Sequence, residues 1–414
     1  MKDILRYIKV FSIIVVSFFV FSVLSCLIPY KSVQKNIEKS LPEILGEGDY
    51  PKVILKGYNY IQDNFTDALI LNIIVSSDSK KPVWNAMMNP YDFHSPIENC
   101  GFRHLEHKIN NSDSGPCTPY GRYWFGSVAI SRILLLVMTY QQIKWFLYVV
   151  STLLLLIFAV KIVNRVGWIK SLPIFLSLLF GNLFVMQFSI QFFPVLAIAL
   201  VCGIWMCGKR AKTQKEITML LFIAGMFTAY FDLLTIPLLT LGFPLVVYLI
   251  LQSDEKKSLL EIFKSIFILC LFWVIGYACA WAIKWVLVAV FADFSKIKVF
   301  QAIQWRTTTG NYSRWDSIAR NFNQIPIVWL NTVLTTLLLL TISFFNKKGI
   351  KWAITFVAVG LLPYIWYFVL SSHSHPHWWF TYRAQIISMA CIMSAFVTLI
   401  DWEKLKLKCT IRKK

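Results

Sequence analysis

Residues 10–28 read VFSIIVVSFFVFSVLSCLI, an unbroken apolar run bounded by Lys9 and Lys31. A helix needs roughly 20 such residues to cross about 30 Å of hydrocarbon, and inside the bilayer the backbone must be helical because no water satisfies its polar groups. The run is too long and uniform for a signal-peptide core, and no small-residue cleavage pattern follows it. It is therefore expected to stay attached as an anchor. The rest of the chain continues the theme: 57% hydrophobic, 16% aromatic and only 15% charged residues over 414 positions are too apolar for an ordinary soluble domain. Comparable runs at 145–160, 172–188, 192–206, 217–231, 233–251, 266–290, 327–345, 352–370 and 384–400 bring the total to about ten. The expected fold is an all-α polytopic membrane protein.

Basic residues set the direction. Lys2, Arg6 and Lys9, then Lys161, Arg165 and Lys170, then Lys209, Arg210, Lys212 and Lys215, then Lys256, Lys257 and Lys264, then Lys347, Lys348 and Lys351, and finally the tail from Lys404 fall in the termini and in alternate loops. Lys and Arg in short loops are retained on the cytoplasmic side, so both termini are expected there, in the cell membrane. A basic rim facing anionic membrane lipids accounts for most of the net charge of +20 without any nucleic acid. The chain then divides into a cytoplasmic tip and first span (1–30), a large extracytoplasmic loop with interfacial helices (31–144), a multi-span membrane domain (145–400) and a basic tail (401–414). Residues 123–140 are also apolar. Counting them as a span would put the later basic clusters outside, so they are expected as a helix lying in the outer interface.

The same topology puts all six histidines on the outer side, His94, His104 and His107 early, His373, His375 and His377 late. In the first loop, Val33, Ile37, Leu41, Ile44 and Leu45 recur at helical spacing and predict an amphipathic helix. Further on, Asp63 and Asp67 lie four apart, on one face at the positive end of a helix that includes both. Asn64 as N-cap with Asp67 at N3 would equally be a capping arrangement with no chemistry. Cys100 and Cys117 are the only external cysteines, and an oxidising face makes a disulfide between them a reasonable staple. Asp92, His94, Glu98, His104, Glu106 and His107 admit a divalent metal, but no HExxH-like spacing supports one and no cofactor is predicted.

Arg122 stands among Tyr120, Tyr123, Trp124 and Phe125. That cluster reads either as an interfacial aromatic belt or as a guanidinium fork for a lipid-linked phosphate. Arg306, Arg314 and Arg320 add positive charge on the side that normally lacks it, which favours an anionic ligand. In the last segment Pro376 disfavours a helix, so His373, His375 and His377 are expected to alternate along an extended strip and share one face, beside Trp378, Trp379 and Arg383. A metal, a phosphate or a sugar stacked on the tryptophans would each fit that strip. Asp232, at the tip of a short hairpin, is an ionisable group at membrane depth and a candidate by that fact, or a turn residue.

An anchor span, a long first loop carrying aspartates, interfacial helices and many later spans with short loops resemble the GT-C class of integral-membrane glycosyltransferases. The resemblance is one of architecture over most of the chain. It implies a polyprenyl-phosphate-linked sugar donor, a glycan or lipid-linked acceptor, and an aspartate of the first external loop as general base in an inverting transfer. Asp67 and Asp63 are the positions that correspond, although Asp67 lies farther from the end of the first span than in that class. Arg122, Arg383 and the late histidines would then hold the phosphate. A polymerase or ligase of lipid-linked oligosaccharide, using the arginines for a pyrophosphate, is the nearest alternative. A transporter or flippase would need polar groups in the spans, where Lys284, Asn182 and Gln187 are the main examples.

Overall fold

The computed structural model describes residues 2–55, 58–93, 101–110, 117–308 and 312–411, with side chains at all of these except 2, 53–60, 409 and 411. The described residues are mostly helical. Five helical stretches are long and apolar enough to cross a membrane: Asp3–Cys26, Tyr140–Phe180, Leu259–Phe291, Lys347–Val369 and Trp378–Leu399. A sixth is formed if Arg314–Phe322 and Ile327–Ser343, bent by 81°, count as one. Their outer faces carry bare aliphatic side chains, among them Val16, Val20, Leu24, Val149, Leu153, Leu156, Val286, Val290, Leu339 and Ile342. So much contiguous apolar surface has no stable place in water and marks a lipid-facing girdle.

Several expected spans take a different form. Residues 145–160 and the first half of 172–188 belong to one stretch, Tyr140–Phe180, broken at Gly167 (φ 81°, ψ 167°), a conformation that a residue with a Cβ rarely adopts. Residues 192–206 and 233–251 become the helices Phe193–Met206 and Leu239–Gln252. At 1.5 Å per residue each is about 21 Å long, short of the hydrocarbon thickness. Leu239–Gln252 is buried on nearly every side, as is Ile386–Leu399, and the two lie at the centre of the largest apolar core. A helix apolar all round belongs inside such a bundle.

The tightest helix pair is Gln214–Phe231 against Leu259–Phe291. A Cβ on Gly225 would collide with the carbonyl oxygen of Trp273, and one on Gly276 with that of Phe222. Each helix thus offers a glycine to the other's backbone, the small-residue contact by which apolar helices associate where lipid removes the hydrophobic drive. Gly276→Leu is expected to force the pair apart and cost about 1–3 kcal/mol or more. Gly46→Ala, where an added Cβ meets nothing within 4 Å, should leave stability unchanged or slightly raised. Thermal unfolding of the two variants in one detergent checks the difference.

The described residues between 30 and 140 form a cap built on small elements. Helix Tyr30–Glu47 buries Val33, Ile37 and Ile44, the face expected from its spacing. Strand Lys52–Leu55 pairs antiparallel with Tyr58–Ile61, and Pro90–Tyr91 with Thr118–Pro119. Strands are absent from the all-helical expectation yet matter here: the first hairpin delivers the chain to Asp63. Residues 123–140 contain a nine-residue helix, Gly126–Leu134, buried along Gly126 to Ala129, Ser131 and Arg132. His94, Glu98 and Cys100 lie outside the described residues, so the expected Cys100–Cys117 disulfide does too.

Candidate functional site

Asp63 is fixed from three directions. Gln62 N donates to Pro51 O (3.0 Å) at the foot of the hairpin, and the amides of Asn64 and Phe65 both donate to Asp49 O (2.9 and 3.1 Å). Asn64 Nδ2 donates to Glu47 Oε2 (3.0 Å), which also accepts from Lys144 Nζ (2.8 Å). The helix Asn64–Ser76 starts one residue earlier than a cap at Asn64 would put it. Asp63 itself is the N-cap, accepting from Thr66 N (3.1 Å) and Thr66 Oγ1 (2.7 Å). Burial raises its carboxyl to about 6, against the Thr66 hydrogen bonds and the Arg383 charge that pull it down.

Asp67, one turn further on, is fully buried and surrounded by donors. Tyr140 Oη (3.0 Å), Ser189 Oγ (3.3 Å), Ile190 N (3.1 Å) and Gln191 N (3.2 Å) all point at its two oxygens. Burial lifts it to about 7, with the Ile190 amide pulling down and Asp63 pushing up. The two carboxyls that the sequence could not separate therefore sit in different settings: Asp67 ties the cap to the turn 189–191, while Asp63 borders open space.

That space is a cavity of about 490 Å³ lined by Tyr50, Asp63, Phe65, Thr66, Leu69, Tyr120, Arg122, Tyr123, Gln191, Leu233, Thr235, Trp305, Arg306, His373, His377, Trp379 and Phe380. Its walls come from five separate stretches of chain: the cap, the turn 189–191, the turn after Phe231, the segment after Phe291, and the segment after Leu370. Arg306 Nη2 donates to Tyr123 Oη (2.7 Å), and the Arg122 guanidinium lies 4.0 Å over the Tyr120 ring. Neither arginine has a carboxylate in ion-pair range among the described residues. Arg122 Nε, Arg306 Nε, Trp379 Nε1 and both polar atoms of the Gln191 side chain are buried without a partner. One carboxylate beside two guanidiniums that lack a carboxylate partner among the described residues leaves the cavity donor-rich, suited to an anionic ligand.

The last segment departs from the extended strip. It is a chain of helical turns, Ser371–Ser374, Trp378–Thr381 and Tyr382–Gln385. Pro376 falls between the first two turns, where its missing N–H is not needed. The histidines that meet are accordingly four apart: the rings of His373 and His377 lie 4.7 Å from each other. His373 Nε2 is 2.8 Å from Leu234 O and His377 Nδ1 is 2.8 Å from His373 O. Burial first, and Arg306 in addition, lower both imidazoles below their ordinary range, so they are neutral donors near pH 7. His375 turns away, stacks on Tyr312 at 4.0 Å and lies 3.3 Å from Arg320 Nη1.

The other candidates do not line this cavity. Arg320 sits 5.7 Å over the Trp378 ring. Arg383, fully buried, donates to Trp379 O and Ile61 O (both 2.9 Å), joining the late segment to the hairpin before Asp63. Asp232 closes a turn by accepting from Thr235 N (3.1 Å), Thr235 Oγ1 and Ile236 N (3.2 Å), which presents Thr235 to the cavity. His107 and Lys108 reach Asp92 at 4.0 and 3.8 Å, and His104 stacks on Phe93 at 4.3 Å. Among the described residues, no group of three or more His, Cys, Asp or Glu is placed to hold a metal ion. Gln191, Thr235 and Trp305 escaped the sequence reading. Only the polar break Gln187, Ser189, Gln191 between two apolar runs hints at the first of them.

A second, larger groove of about 1200 Å³ gathers Lys170, residues 253–259, residues 346–352 and 397–398 with 400–403. Its lysines belong to the loops that the charge pattern assigned to the cytoplasm. The helix Ile386–Leu399 begins next to Arg383 and ends at this groove, so about 20 Å of helix lies between the two concavities. Comparison of the chain with protein-family models, curated proteins and solved structures yields no match.

Proposed function

We propose that this chain is a membrane glycosyltransferase that moves a sugar, with inversion, from a polyprenyl-phosphate-linked donor to a glycan or lipid-linked acceptor on the extracytoplasmic side. The observation that carries the reading is the convergence of five chain segments on one cavity. Four lie in segments or turns that the charge pattern assigns to the outer face, the fifth (Leu233 and Thr235) lies at the outer end of the expected span 233–251, and the cavity sets one buried carboxylate beside two arginines that have no carboxylate partner among the described residues. Three of the basic loops meet at a different groove, at the far end of a central helix, which favours an orientation with those loops, and so both termini, on the cytoplasmic side.

In this reading Asp63 takes the proton of the acceptor hydroxyl as its oxygen bonds to the anomeric carbon. The bond from that carbon to the phosphate oxygen breaks with its electron pair, and the lipid phosphate leaves as an anion. Arg122 and Arg306, with the Trp379 indole N–H, lie where that charge would collect. The apolar girdle gives the polyprenyl chain a route alongside the protein. No nucleotide is needed, in keeping with the lack of any P-loop or Rossmann fingerprint.

The test is release of polyprenyl phosphate and appearance of glycosylated acceptor by the full chain in proteoliposomes, over a panel of polyprenyl-phosphate sugars and acceptors. No turnover of any of them sinks the reading. The pH profile adds a specific expectation. Burial holds the proton on Asp63 up to about 6, so its basic form predominates only above that value. We expect kcat/KM to fall about tenfold per unit as pH drops below about 6. A profile flat down to pH 4.5 would remove Asp63 as the base.

A further inference from the structure

We infer that Gln191 reads hydroxyl groups of the bound sugar, so that the cavity is built for a glycosylated lipid phosphate and not for the bare one. The inference rests on the function proposed above and names the part of the donor that this side chain recognises. Gln191 is 1% exposed, lines the cavity, and both its Oε1 and Nε2 lack a partner. A buried carboxamide left unpaired costs about 1–3 kcal/mol, so its retention at a cavity wall points to a ligand that completes it.

The identity of that ligand follows from donor and acceptor chemistry. Arg122 and Arg306 only donate, which matches phosphate oxygens. A carboxamide both donates and accepts, and a phosphate dianion cannot supply the proton that Oε1 needs. Neighbouring hydroxyls of a sugar ring satisfy both of its ends. The backbone at this position is anchored as well. Gln191 N donates to Asp67 Oδ1 (3.2 Å) and to Ser189 Oγ (3.3 Å), which fixes where the side chain departs. Preorganised polar groups of this kind discriminate more strongly between ligands than apolar walls do.

The experiment measures binding of decaprenyl phosphate and of its glucosyl, mannosyl and galactosyl esters to the full-length chain in detergent, by calorimetry. Wild type should bind at least one ester more tightly than decaprenyl phosphate. Gln191→Leu should weaken that ester by about tenfold while leaving decaprenyl phosphate within about twofold. Its thermal midpoint should be no lower than wild type, because an unpaired amide has been replaced by an apolar group of similar size. Equal weakening of both lipids, no weakening of either, no ester preferred by wild type, or a variant that no longer folds would each overturn the role of Gln191 and leave the parent reading standing. If wild type binds none of the four lipids, the parent reading falls and the inference with it.

Discussion

Asp63→Asn is expected to lower sugar transfer by about 10²–10⁴ while the protein stays folded. That is the usual contribution of a positioned general base. The substitution isolates chemistry because Asn is as good an N-cap as Asp. Its Oδ1 can still accept from Thr66 N, so the start of helix Asn64–Ser76 survives. The hairpin and the Asp49 carbonyl that hold the residue act through backbone groups and are untouched. What disappears is the proton acceptor facing the cavity. Single-turnover transfer, with thermal unfolding as the control, decides the matter: a wild-type rate in a folded variant would send the base elsewhere.

Asp67→Ala should fail in the opposite way. Four donors converge on that carboxyl from two elements, and two of them are the main-chain amides of Ile190 and Gln191. Gln191 N keeps Ser189 Oγ, but Ile190 N loses its acceptor and the other donors lose their better one; an unpaired buried amide costs roughly 1–3 kcal/mol, so a loss on the order of 2–4 kcal/mol is expected. Thermal midpoint and detergent-resistant yield measure it. Asp67→Asn should be destabilised as well, since an NH₂ group would then face donors on at least one side. A variant with normal stability and no transfer would exchange the roles of the two aspartates.

The membrane class, the apolar stretches and the amphipathic face of Tyr30–Glu47 were all legible from spacing and composition, because each is a local property. Span length was less so. The closed turn of Asp232 and Pro237 delay to Leu239 a helix whose apolar run begins at 233, and an apolar residue scores alike in either state. The late histidines were placed on the right segment in the wrong conformation: Pro376 bars the middle of a helix but not the junction of two short turns. Gln191 was invisible for a different reason. Its significance depends on Asp67, more than a hundred residues earlier, fixing the turn on which it stands.

The Arg383 guanidinium reaches back across 322 residues of chain to the Ile61 carbonyl. At about 5–20 residues per second, ribosomal synthesis separates those two partners by roughly 15 to 65 s. Through that interval the first helix and the hairpin before Asp63 have been made, yet one wall of the cavity has not. A product that stops short of residue 371 would lack His373, His377, Trp379 and Phe380, and with them one wall of the cavity.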